Sequence, residues 1–291
     1  MTINMKAAFC FFLSLLLVQC DVKGRRAASQ VELLQLLRQN RERFVIELVG
    51  NQTSDFKKAE MIVEWLTKNL EWKETDYKER TVQQIIDRGG GNCSELAAVT
   101  IDLLQLLNLK MRKIKEINLH VSSDERQKNA KRKIEEHGNK SSVFGRIHND
   151  HVWLEVYDQQ SEIWCPLDPS LGLVGINQWI EGRAALLDRV SIDPASNDMI
   201  IPIGIFSIAE GEIDQNLTQK YVVNEWNKYY SGRLEKLEAW DDWSSQISHI
   251  SSICQESFSG SINLHDYEFE LAITLSIYQE LKMQYEEDYY K

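Results

Sequence analysis

The chain has 291 residues, of which 43% are hydrophobic and 26% charged, the balance of a globular chain rather than a disordered or multi-spanning one. With 33 basic and 44 acidic residues it carries a formal net charge of −11. A duplex-binding protein needs a basic surface to release counterions, so nucleic acid is not an expected partner.

The first residues read as an export signal. Lys6 precedes an apolar run of 12 residues broken only by Ser14, Ala7 to Val18. Such a run is too short to cross roughly 30 Å of hydrocarbon as a helix, but it suits a signal-peptide core. It ends Leu17-Val18-Gln19-Cys20, which resembles a bacterial lipobox apart from Gln19, where a small residue is usual. Residues 1–19 are therefore expected to be cleaved, with Cys20 lipidated and anchoring the protein to a membrane of the cell envelope. The alternative is an ordinary secretory signal. Residues 20–29 are polar and basic and read as a tether.

Leucines at helical spacing follow from Gln30 to Val49, and Asp55 to Leu70 repeats the pattern. Thr81 to Asp87 is a short helix stopped by Gly89-Gly90-Gly91. Asn92 then N-caps a largely buried helix from Cys93 to about Leu107. Met111 to Leu119 reads as a strand. Val121 to Arg146 is rich in Lys and Arg and reads as a solvated helical insertion. Asp150 to Asp158 and Glu162 to Asp168 alternate as a hairpin does, and Ile176 to Leu187 is helical. Met199 to Ile208 reads as extended, and the chain from Leu217 is mostly helix. These signals divide the chain into a domain at 30–194 and a mainly helical C-terminal extension at 195–291.

Turning the hairpin about Gln159-Gln160 opposes Val152 to Leu167, Leu154 to Cys165 and Val156 to Ile163, an all-apolar face. The other face then pairs His151 with Asp168, within reach of an orienting hydrogen bond. Trp153 and Trp164 share that face, where they either wall a substrate groove or pack beneath the insertion. Cys93 opens a helix, where the unpaired N–H groups and the macrodipole favour an anion, and the thiolate is the reactive form of cysteine. Cys165 is mid-strand on the apolar face and is expected to be inert. His148 and His151 face opposite sides of their strand, which argues against a metal site.

The strings GGGNCSELAAVTIDLLQLLNL, HVWLEVYD and EIWCPLDPS resemble the transglutaminase-like superfamily of papain-like folds. The resemblance runs from about Thr81 to Gly175. It implies an α+β fold, with helices packed on an antiparallel sheet and the helical extension added. It also implies a triad of Cys93 as nucleophile, His151 as base and Asp168 as its orienter. The backbone N–H of Cys93, with Asn92 second, would serve the oxyanion. No acidic cluster suggests the calcium site of the animal enzymes, and neither metal nor cofactor is expected. The expected activity is thiol-dependent acyl transfer on a peptide or protein amide, with hydrolysis favoured over transamidation because water is the abundant nucleophile. A catalytically silent, lipid-anchored binding module of the same fold is the alternative.

Overall fold

The computed structural model describes residues 28–76, 78–119, 132, 151–184, 186 and 201–290. The expected signal segment, Cys20, most of the tether, and all of the basic insertion except Arg132 lie outside the described residues.

The leucine-rich pattern at the start forms two helices, α1 (Gln30–Gln39) and α2 (Arg41–Val49). Asn40 divides them. Its N–H closes α1 on the Leu36 carbonyl, and its side chain caps α2 by accepting from the Arg43 N–H at 2.9 Å. Helix α3 (Asp55–Asn69) is capped by Ser54, and α4 (Val82–Arg88) by a Thr81–Gln84 capping box. Helix α5 (Cys93–Leu106) carries the same device in Asn92 and Glu95. The apolar stripes of these helices, including Leu37, Phe44, Ile62, Leu66, Leu96 and Val99, form one core with Val152, Leu154, Val156 and Leu167 of the sheet.

A six-stranded sheet runs in the order β6-β5-β4-β3-β7-β8. Its strands are β3 (Met111–Asn118), β4 (His151–Asp158), β5 (Ile163–Asp168), β6 (Leu173–Val174), β7 (Pro202–Ala209) and β8 (Glu212–Asn216). All neighbouring pairs are antiparallel. A parallel pair stands apart, with β1 (Glu71–Trp72) on β2 (Gly90–Gly91). Helix α6 (Gly175–Ala184) follows β6. Residues 202–216, on the far side of the expected boundary near 195, are two strands that extend the same sheet. Beyond them, a π-helical segment (Lys220–Glu225), α7 (Trp226–Tyr229), α8 (Trp240–Phe258) and α9 (Glu268–Tyr289) form a second core with Trp153, Trp179, Ile205 and Phe206. No helix among the described residues is long and apolar enough to cross a membrane.

The hairpin register differs from the expected one. Leu154 opposes Leu167 and Val156 opposes Cys165, a slip of two residues. The turn is longer than two residues because Gln159-Gln160 lacks the glycine or asparagine that a tight primed turn needs. Asp158 instead holds the loop, accepting from Ser161 Oγ at 2.6 Å and Ser161 N at 3.2 Å, while Glu162 takes φ 57°. A two-residue slip keeps every side chain on its expected face, so the apolar pattern cannot detect it.

Candidate active site

Three adjacent glycines place Cys93, each for a separate reason. Gly89 ends α4 in the left-handed conformation, φ 76°. Gly90 lies against β1, where a Cβ would stand 2.0 Å from the Glu71 carbonyl oxygen. Gly91 lies against the capping residue, where a Cβ would stand 2.6 Å from Glu95 Cβ. Glu95 accepts from the Asn92 N–H at 3.0 Å and pairs with Arg80 at 2.9 Å. Asn92 Oδ1 in turn accepts from the Glu95 N–H at 3.0 Å. The N–H groups of Cys93 and Ser94 meet no acceptor among the described residues, so the helix N-terminus is open at the half-buried thiol.

His151 opens β4 and reaches Asp168 at the end of β5. In the observed register the two are diagonal rather than opposed, and imidazole Nε2 still lies 2.6 Å from Asp168 Oδ2. An imidazole spans the diagonal because such neighbours remain within reach of aromatic side chains. The Cys93 thiol lies near enough to the ring to act on its charge. Burial pulls the imidazole pKa down. The Asp168 carboxylate outweighs it, helped by the Cys93 contact, and the pKa is pushed up to about 10. Burial alone would raise the Asp168 carboxyl, but His151, Arg183 and Ser170 hold it well below the usual carboxylate range.

Two of these partners escape sequence reasoning. Ser170 donates to Asp168 Oδ1 from Oγ at 2.7 Å and from N at 3.1 Å, and the Leu171 N–H adds a third bond at 3.2 Å. Arg183, at the end of α6 and fully buried, places Nη2 2.9 Å from Asp168 Oδ2 and Nε 3.2 Å from Glu116 Oε1. Glu116 faces His151 across β3 and β4 and accepts from Trp153 Nε1 at 2.8 Å. A buried arginine has no periodicity of its own. The available signal was Glu116, a carboxylate two residues from Ile114 on the same face of its strand, which demands a cation when buried.

The expected groove tryptophans are elsewhere. Trp153 is fully buried between Trp179 and Tyr221, at ring distances of 5.4 and 5.3 Å. Trp164 sits toward the far end of the hairpin from His151, against Tyr157 at 5.3 Å and beneath the Arg112 guanidinium at 4.4 Å. Neither walls the site, because the polar-looking sheet face is covered by the C-terminal core. A cavity of about 590 Å³ lies beside the site instead, lined by Thr67, Glu71, Trp72, Leu96, Pro169 and Ser170 among others. Leu96 is one turn along α5 from Cys93, and Trp72 is largely exposed. Among the described residues, no group of three or more His, Cys, Asp or Glu is placed to hold a metal ion.

Removing Arg183 should be severe, because Asp168 and Glu116 would stay buried without their shared cation. Arg183→Met is expected to cost about 3–5 kcal/mol in urea unfolding. A loss below about 1 kcal/mol, the range of an exposed pair, would contradict the burial argument.

The His151 and Asp168 shifts also set a pH dependence. The contribution of His151 is complete below its unfolded value of about 6.5 and is lost as pH rises through about 10. That of Asp168 is complete above about 3.9 and is lost as pH falls toward its depressed value. The stability gap between wild type and His151→Gln should therefore shrink from about pH 6.5 to about pH 10 in denaturant titrations. A gap that widens over that interval would refute the raised imidazole.

Residues 42–169 match the family model of the transglutaminase-like superfamily. No curated protein matches the chain. Among solved structures, a candidate cysteine protease from Cytophaga hutchinsonii aligns at 16% identity and a TM-score of 0.32, covering 53% of this chain and 47% of that one. A candidate protease from Parabacteroides distasonis aligns at 12% identity and a TM-score of 0.31, covering 47% of this chain and 25% of that one. Rad4–Rad23 bound to a 6-4 photoproduct lesion aligns at 12% identity and a TM-score of 0.32, covering 86% of this chain and 57% of that one. The chain thus spans less than half the length of the first two. Over residues 42–169 the chain is similar to the transglutaminase-like superfamily.

Proposed function

We propose that the protein is a thiol-dependent acyl-transfer enzyme that hydrolyses amide bonds in the cell envelope. The observation that carries this reading is one imidazole held 2.6 Å from a buried carboxylate, with the thiol that opens a helix close enough to act on its charge. An imidazole so held can take the proton of the thiol and so provide the thiolate nucleophile.

The Cys93 thiolate adds to the amide carbonyl carbon, and the carbonyl electrons move to oxygen. The Cys93 N–H lies at the helix terminus that would receive this oxyanion. Asn92 Oδ1 is spent on the cap, so only its amide NH₂ remains to serve as a second donor. The C–N bond then breaks, and the imidazolium of His151 gives its proton to the departing amine. Water attacks the thioester, neutral His151 takes its proton, and the C–S bond breaks to regenerate the thiolate and release a carboxylic acid. Asp168 keeps the ring oriented through both steps. An amine in place of water would give transamidation, and hydrolysis is preferred because water is by far the more abundant nucleophile.

Export and anchoring belong to the same proposal, motivated by the apolar run ending at Cys20. Cys20→Ser should shift the protein from the detergent phase to the aqueous phase, or block its processing. An unmodified N-terminus beyond Cys20 would rule the anchor out.

Thiol labelling tests the chemistry before any substrate is known. Burial pushes the Cys165 thiol up to about 11, and Cys254 is fully buried. Iodoacetamide at about pH 6, well below the ordinary thiol value, should therefore modify Cys93 first. His151→Ala should slow that reaction, and Asp168→Asn should slow it less. Faster labelling of Cys165 or Cys254, or indifference to His151, would favour the silent binding module.

A further inference from the structure

Strand β3 lies between β4 and β7. On the sheet face that carries Val152 and Leu154, α5 packs over β4. On the same face α8 packs over β7, closely enough that a Cβ on Gly204 would stand 2.9 Å from Cys254 Cβ. The strip of β3 between the two helices presents Lys113, opposite Leu154 and Ile208, and Lys115, opposite Val152 and Phe206. In the middle of a sheet, positions flanked on both sides by apolar residues ordinarily hold valine or isoleucine. Here they hold two half-buried ammonium groups.

Neither lysine has a carboxylate partner among the described residues, although the protein as a whole has 44 acidic residues and only 33 basic ones. Lys115 Nζ rests 5.0 Å from the Phe258 ring centroid, which offsets part of its desolvation without supplying an opposite charge. Burial lowers the pKa of both, and Lys113 lowers that of Lys115 further. Lys115 opposes Val152, the neighbour of His151, and Cys93 is the opposing influence on Lys113, so the pair borders the nucleophile's end of β4. A pair of buried like charges costs free energy that an arriving anion would recover. Thiolate stabilisation alone would account for Lys113 but not for Lys115, on which Cys93 has no resolved influence.

We propose that Lys113 and Lys115 form an anion subsite beside Cys93, and that the amide substrates carry a carboxylate close to the bond that is cleaved. This rests on the acyl-transfer reading of Cys93.

The probes are iodoacetate and iodoacetamide, which differ chiefly in charge, with Cys93 alkylation followed by mass spectrometry at about pH 7. His151 also attracts the anionic reagent, so the informative quantity is the change in the iodoacetate-to-iodoacetamide rate ratio when a lysine is replaced. Lys113→Met and Lys115→Met should each lower that ratio about ten-fold, the scale on which a cleft of one charge sign concentrates an opposite charge. Lys113→Arg keeps the charge and should keep the ratio. Iodoacetamide labelling of each variant shows that its site is still assembled. An unchanged ratio in the methionine variants overturns the subsite, and so does an equal fall in both rates. In either case Cys93 still reacts with iodoacetamide, and the acyl-transfer reading stands. Wild-type Cys93 inert to both reagents would instead remove that reading and the subsite with it.

Discussion

A carboxylate removed from water is the constraint around which the site is built. Asp168 is fully buried, and leaving its charge there unmatched would cost several kcal/mol. Five donors answer it, namely His151, Arg183, the Ser170 hydroxyl and the backbone N–H groups of Ser170 and Leu171. Each donor brings an element with it. His151 fixes the start of β4, Arg183 fixes the end of α6, and Ser170 fixes the loop beyond β5. Arg183 then needs a second anion, because with His151 protonated the cluster holds two cations and one anion. Glu116 on β3 supplies it, and Trp153 on β4 donates to Glu116. Four buried charges thus sum to zero across three strands and a helix. Such a cluster adds little net stability over an apolar core, but it tolerates few alternative geometries. That intolerance is useful where an imidazole must sit between a carboxylate and a thiol.

The parts of the site that depend on local chemistry were legible. Asn92 and Glu95 have capping-box spacing, so the start of α5 at Cys93 follows from a few residues. The faces of β4 and β5 were legible because burial imposes a period of two. Register was not, because a two-residue slip preserves that period and the turn chemistry decides instead. Asp168 and His151 were associated correctly by face, yet as diagonal neighbours rather than opposed ones. Arg183 was invisible because its partners lie far away in sequence, Glu116 67 residues upstream. The misplacement of Trp153 has the same origin. Its strand face alternates polar and apolar, which reads as solvent-facing when every polar group is in fact a member of a buried pair.

Glu155 repeats that lesson one pleat away. It is fully buried, accepts from the Arg112 guanidinium and the Tyr221 hydroxyl, and lies 3.2 Å from Lys220 Nζ. Two of those partners come from the π-helical segment beyond β8. The same segment supplies the ring of Tyr221 that closes an aromatic cluster with Trp153 and Trp179. Strand, crossover helix and C-terminal segment therefore meet at one point, directly behind the charge cluster.

This gives the C-terminal third of the chain a physical task independent of any partner. Strands β7 and β8 complete the sheet, and the Ile205 N–H donates to the Thr218 hydroxyl as the chain turns back over it. The π-helical segment that follows lays Tyr221 over the face that carries Glu116 and Trp153. Coulombic attraction between Asp168, Glu116 and Arg183 weakens several-fold when water replaces protein around them. The raised imidazole and the depressed carboxyl depend on that exclusion as much as on the short distance between them. Residues 217–290 contain neither Cys93, His151 nor Asp168, yet Tyr221 among them closes the low-dielectric layer behind the charge cluster.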